Sequence, residues 1–186
     1  MRISSGLAKN KTLEAPRVPG IRLTQEIVRE AVFSIIGDAI QNTVCLDLYA
    51  GSGSIGIEAL SRGAKWCDFV DTNYESTRAI QKNLVKCGFE LMAKVYTEDA
   101  VKYVGNSERK FDFVFMDPYY TQLTYKHIIK RLPEVLKPQG MVVFLHGKDL
   151  IASDFVKDSR LKVTDERKYG ATVASFLVVD NTNLKP

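Results

Sequence analysis

From Thr43 onward the chain alternates short runs of β-branched and aromatic residues with stretches of helical periodicity, and no other feature limits its fold so tightly. "TVCLDL", "WCDFVD", "AKVYT", "KFDFVFMD" and "MVVFLHG" read as five strands. Between them, "SIGIEALSRG" and "ESTRAIQKNLVKCG" predict helices closed by Gly63 and Gly88, "DAVKYV" a short helix, and the stretch from Leu123 to Leu136 a further helix stopped by "KPQG". Strands separated in this way form a parallel sheet covered by helices on both faces. The end of the chain breaks the rhythm. "LKVTDERKYG" and "ATVASFLVVD" have no helix between them and predict a closing antiparallel hairpin, which brings the sheet to seven strands. Ahead of the sheet, "TQEIVREAVFSIIGDAI" predicts a leading helix capped by Thr24, with Ile27, Ala31, Ile35 and Ala39 recurring at helical spacing. The expected fold is α/β and Rossmann-like.

A chain of 186 residues can bury one substantial core and is short for two. The expected organisation is a basic N-terminal arm or hairpin over residues 1–23 and a single domain over 24–186. The arm carries Arg2, Lys9, Lys11, Arg17 and Arg22 against Glu14 alone, so the formal net charge of +4 lies within it and the rest of the chain is balanced. Such an arm suggests a polyanionic partner. No apolar run approaches a membrane span and the first residues lack the apolar core of a signal peptide, so no membrane association and a cytoplasmic location are expected. Cys45, Cys67 and Cys87 are far apart with no CxxC or Cys/His cluster; they read as buried apolar side chains, and no metal is expected.

Between the first strand and first helix, "LDLYAGSGSIG" places Gly51, Gly53 and Gly56 in G-x-G-x-x-G spacing, in the strand-to-helix context that such a loop requires. Glycines there let the backbone turn tightly and approach a ligand. Asp71 ends the second strand, twenty residues after Gly51, where a carboxylate can accept hydrogen bonds from ribose hydroxyls. An adenosine-containing cofactor follows. Dinucleotides would place a pyrophosphate over the loop, but Asp47 lies four residues before Gly51, and a carboxylate opposes phosphate there. S-adenosylmethionine, with an ammonium, a sulfonium and no phosphate, suits the site better. Asp99 in "TEDAVKYV" is placed either to accept from the adenine amine or to cap the helix that follows.

The segments "LDLYAGSGSIGIEALSRGA", "VDTN…KNL", "EDA" and "FDFVFMDPYY", in this order, resemble class I S-adenosylmethionine-dependent methyltransferases. The opening "RISSG…L…P…IRLTQEIVREAVFSII" narrows the resemblance to the bacterial RsmD type, the family that methylates N2 of a guanine in 16S ribosomal RNA. This resemblance implies the methyltransferase form of the Rossmann-like fold and an rRNA (guanine-N2-)-methyltransferase activity. It implies cofactor contacts from Asp47, Tyr49, Ala50, Gly51, Ser52, Gly53, Asp71, Thr72, Asp99 and Ala100, and RNA contacts from Arg2, Lys9, Lys11, Arg17, Arg22 and Tyr119. The partner implied is 16S rRNA of the small ribosomal subunit, and nothing requires more than a monomer. Two departures stand out: Arg22-Leu23-Thr24 replaces Arg-Pro-Thr, and Asp117-Pro118-Tyr119-Tyr120 replaces Asp-Pro-Pro-aromatic.

The second motif is the expected catalytic centre. A guanine N2 lone pair is delocalised into the ring, so acceptors for its N–H groups are needed to free it and to stabilise charge developing on nitrogen. Asp117 and the Pro118 carbonyl are the natural acceptors at a strand end, and Tyr120 occupies the stacking position. Without a second proline, Pro118 loses a restraint toward extended backbone. His127 and His146 are not needed as bases and read as structural. Three other readings share parts of the pattern: a DNA amino-methyltransferase, a nicotinamide-dependent dehydrogenase, and a catalytically weakened methyltransferase-like RNA-binding factor.

Overall fold

The computed structural model describes residues 1–16, 26–118 and 125–180. Seven strands form one sheet: β1 (Val44–Leu48), β2 (Trp66–Asp71), β3 (Ala93–Thr97), β4 (Phe111–Met116), β5 (Leu136–Gly147), β6 (Leu161–Tyr169) and β7 (Thr172–Val179). Their spatial order is β3-β2-β1-β4-β5-β7-β6, with β1 to β5 parallel and β7 antiparallel to both neighbours. The helices are α1 (Glu26–Ile36), α2 (Ser54–Ser61), α3 (Tyr74–Cys87), α4 (Ala100–Asn106), α5 (Tyr125–Arg131) and α6 (Ala152–Val156). Alternation along β1 divides the core: Cys45 faces the layer with α1, α2 and α3, whereas Leu46 and Leu48 face α4, α5 and α6. The mostly parallel sheet and the closing hairpin are as the sequence predicts, and all three cysteines are buried thiols.

Three sequence expectations are corrected. The leading helix forms, but its buried face is Val28, Val32, Phe33 and Ile36; Ile27 is 66% and Ile35 43% exposed. Both stripes have helical spacing, so periodicity alone does not choose between faces one residue apart. The helix expected from Leu123 to Leu136 ends, in its described part, at Arg131, and a 3-10 turn over Leu132–Glu134 follows. Pro133 explains this, because it has no amide to continue the helical ladder. "KPQG" does not precede β5 but belongs to it, in an irregular stretch where the partner of β4 steps from Leu136 to Met141 between Phe111 and Phe113. Helix α6 escapes sequence reading because five residues are too short to show a period.

Residues 1–16 are built into the domain. Arg2 and Thr12 bridge in antiparallel fashion, and Ile3, Ala8 and Leu13 enter the core. The hairpin is fastened by Glu58, fully buried in mid-α2. Its Oε1 accepts from Ser4 Oγ (2.7 Å), the Ser5 amide (3.1 Å) and Arg62 Nε (2.8 Å). Its Oε2 accepts from the Ser4 amide (3.0 Å) and from Nε of the buried Arg29 of α1 (3.2 Å). Arg29 also donates to the Arg2 carbonyl. Burial alone would raise the Glu58 carboxyl, but the Ser4 amide and hydroxyl, Arg62 and the Arg29 charge together hold it below its ordinary 4.5.

Glu58→Ala leaves Arg29 as a buried charge without its partner and should cost on the order of 3–5 kcal/mol in urea unfolding. Because folding favours the ionised carboxyl, the Glu58 contribution is in place above pH 4.5 and is lost as pH falls below it, toward the folded value. Acid unfolding of Glu58→Gln should therefore show a weaker pH dependence in that range than the parent protein.

Candidate active site

The carboxyl ends of β2, β1 and β4 lie side by side, since Leu48 pairs with both Val70 and Met116. The loop leaving β1 turns sharply: Tyr49 has φ +59° although it is not glycine, and Gly53 has φ +77° as the N-cap of α2. The Ala50 amide donates to the Val70 carbonyl (3.1 Å) and the Gly53 amide to the Ala50 carbonyl (2.7 Å), which closes the turn against β2. Gly56 has a different reason to be glycine. A Cβ there would lie 2.3 Å from the Phe69 ring, so its absence lets α2 sit close upon β2.

Three carboxylates converge on this loop. Asp71 Oδ2 accepts from the Gly51 amide (2.9 Å) and Oδ1 from the Asn73 amide (2.8 Å), so the side chain is braced from both sides. With the two amides and Ser76 as donors, the carboxylate still keeps an acceptor site for a ligand hydroxyl. Burial raises the Asp71 carboxyl, against the lowering effect of those amides and of Ser76. Asp47 is buried beneath the loop, where Oδ2 accepts from the Gly56 amide (2.9 Å). Burial pushes Asp47 well above the usual carboxylate range, and the charges of Asp117 and Asp71 push it the same way. Asp117, half-buried, immediately follows β4, and Pro118 is buried. A row of carboxylates at a buried site is a field that repels phosphate and welcomes a cation.

Around this centre, Ala50 and Ser52 are buried in the loop, Tyr49 is half-buried, and Thr72 is exposed just beyond β2. Asp99 caps α4, its Oδ1 accepting from the amides of Val101 (2.9 Å) and Lys102 (3.0 Å), with Ala100 buried behind it. The other strand-end candidate, His146, is buried; Nε2 lies 2.7 Å from Ser175 Oγ and Nδ1 2.9 Å from the Gly147 carbonyl oxygen, a structural setting. Tyr119, Tyr120, Arg17 and Arg22 lie outside the described residues, as does Thr24.

The basic residues of the hairpin do not gather at this cleft. α2 and α3 both run from the carboxyl edge of the sheet toward its opposite edge, and the hairpin runs alongside them. Its ends, Met1 and Glu14, lie near Ser52 and Asn83, while Leu7 and Ala8 reach Ser61 at the far end of α2. Lys9 is exposed near that far end, and Lys11 Nζ donates to the Lys86 carbonyl (2.9 Å) in the last turn of α3. Arg2 is exposed and lies opposite Thr12, nearer the open end of the hairpin.

One residue that belongs to no sequence motif joins hairpin and loop. Asn83 is fully buried; Oδ1 accepts from the Glu14 amide (2.8 Å), and Nδ2 donates to the carbonyls of Glu14 (3.0 Å) and Ser52 (3.0 Å). A polar residue on the buried face of α3, beside Ile80 and Leu84, is the signal that could have found it.

With this geometry in hand, comparison with known proteins adds a family. The family model described as "Conserved hypothetical protein 95" matches residues 1–178. YlbH of Bacillus subtilis, which carries a provisional rRNA-methyltransferase name, is 33% identical over 92% of this chain and 95% of its own. A Haemophilus influenzae protein named ribosomal RNA small subunit methyltransferase D is 33% identical over 80% of each chain. The solved structure of a Haemophilus influenzae protein provisionally titled a methylase superposes with a TM-score of 0.76 at 27% identity, covering 95% of this chain and 97% of that one. Among the described residues, no helix is long and apolar enough to cross a membrane and no group of three or more His, Cys, Asp or Glu could hold a metal ion.

Asn83→Ala strips the Ser52 carbonyl and the Glu14 backbone of their partner. Unfolding stability should drop by about 1–3 kcal/mol. In hydrogen exchange, the amides of Gly51 to Gly53 should exchange faster than in the parent, while those of β4 and β5 keep their relative protection.

Proposed function

The chain belongs to the conserved hypothetical protein 95 family, and from that premise we propose that it transfers a methyl group from S-adenosylmethionine to the exocyclic N2 of a guanine in 16S rRNA of the small ribosomal subunit. The observation that carries the reading is the row of Asp71, Asp47 and Asp117 at the ends of three adjacent strands around a glycine loop. The donor set fits the cofactor: a braced carboxylate for ribose and a buried carboxyl that a bound ammonium or sulfonium would hold ionised. When bound, S-adenosylmethionine supplies an electrophilic methyl group on sulfur. The names of the relatives supply the substrate class.

In this reading Asp71 orients the ribose. Asp47 shapes the loop through Gly56 and supplies buried charge. Thr72, Ala100 and Asp99 line the adenine side, and Tyr49, Ala50, Gly51, Ser52 and Gly53 form the wall against the rest of the cofactor. Asp117 accepts from the guanine amine, drawing its lone pair toward the methyl carbon and stabilising the positive charge that develops on nitrogen. The Pro118 carbonyl takes the second N–H. Once methylated, the guanine nitrogen would release its proton to solvent, so no side chain of the site is needed as a base. Tyr120 stacks on the base and Tyr119 walls the substrate mouth. Arg2, Lys9, Lys11, Arg17 and Arg22 meet rRNA phosphates, which position the particle without reading sequence. The protein acts as a monomer in the cytoplasm.

The decisive experiment is labelled-methyl transfer from S-adenosylmethionine to small subunits from cells lacking the activity, followed by nucleoside analysis for N2-methylguanosine. Cofactor binding without transfer would instead mark a binding factor whose Tyr119 has cost it catalysis. Asp117→Ala should lower kcat by roughly 10²–10³-fold, as for loss of one transition-state partner, with cofactor affinity nearly unchanged. Because Asp47 and Asp71 have raised carboxyls, cofactor affinity should rise with pH as they ionise, and Asp47→Asn should flatten that rise in calorimetric titrations.

A further inference from the structure

Helix α3 carries Arg78, Lys82 and Lys86 one turn apart, all exposed, with Ala79, Ile80, Asn83 and Leu84 buried on its opposite side. The hairpin adds to this stripe. Lys11 Nζ is bonded to the Lys86 carbonyl, Glu14 is clamped by Asn83, and Lys9 is exposed beside the tip. Charges some seventy residues apart in sequence thus form one strip. From Arg78 to Lys86 it runs about 12 Å, at 1.5 Å per helical residue. Its upper end begins beyond Asp71 and Asn73 at the carboxyl edge of the sheet, and its lower end is the hairpin.

Acids are few along this strip. Glu75 lies in the first turn of α3, and Glu14 lies 3.8 Å from Lys82 with both side chains more than half exposed, a pairing that contributes little and yields readily to a better anion. A helix face that is merely solvated gains from opposite charges four residues apart; three like charges at that spacing cost the helix a few tenths of a kcal/mol per pair. Surface chemistry of this kind suits a polyanion.

We propose that this strip is a phosphate-backbone track for the rRNA that flanks the target base, holding the particle beside the cleft while Asp117 faces the guanine. The inference rests on the rRNA reading given above. Phosphate contacts release counterions, so each one adds about 0.7–0.9 to the slope of log affinity against log salt.

The test uses the full chain and undermethylated small ribosomal subunits. The combined variant Arg78→Ala, Lys82→Ala, Lys86→Ala should lose about two in salt slope and at least tenfold in affinity at moderate salt. Its S-adenosylmethionine affinity and thermal midpoint should match the parent. The charge-conserving variant Arg78→Lys, Lys82→Arg, Lys86→Arg should retain the parental slope, and Lys102→Ala on α4 should leave it unchanged. A triple alanine variant with the parental slope, in a protein that does methylate the particle, overturns the track and leaves the function standing. An equal slope loss in Lys102→Ala overturns it too, because the effect would then be one of net charge. Failure of the parent protein to transfer methyl groups overturns the functional reading itself.

Discussion

Glu58 joins three pieces of chain that are far apart in sequence, and the front half of the molecule depends on it. Its two oxygens take five hydrogen bonds, from Ser4, Ser5, Arg29 and Arg62. A buried carboxylate is tolerable only when so fully satisfied, and any missing donor would leave charge in a low-dielectric interior. The consequence is geometric. The hairpin, α1 and α2 share a single ionic centre, so they can only dock together.

That docking carries through to the cleft. α2 begins at the glycine loop, and Asn83 ties the loop carbonyl of Ser52 to the end of the hairpin. Segments that read as separate, an arm and a cofactor loop, therefore share one mechanical frame. The carboxylate row sits on that frame: Asp71 is held by the amides of Gly51 and Asn73, and Asp47 by that of Gly56. Preorganised carboxylates of this kind need no rearrangement to receive a cationic ligand.

Much of this was legible beforehand. β2 and β3 start and end where the β-branched and aromatic runs do: β2 is buried through its middle, and β3, an edge strand, is marked by Val95 and Tyr96 although none of its residues is fully buried. The glycine loop, Asp71 and Asp117 were legible because each stands at a strand-to-loop junction, a place that chain order locates. The buried face of α1 was not, since Ile27 and Ile35 repeat at the same spacing as Val28 and Val32. Nor were Glu58 and Asn83, whose partners come from residues up to seventy positions away.

The sequence by itself determined the order of elements, the parallel sheet with its closing hairpin, and the residues that arrive at the strand ends, all consequences of local periodicity and turn chemistry. Only the tertiary structure decided that the arm is fastened into the core, that Asp47 lies beneath the loop rather than open to the cleft, and that the basic charges of the hairpin and α3 form one strip. Those outcomes depend on which surfaces exclude water together, and that is a property of packing between distant segments rather than of any one of them.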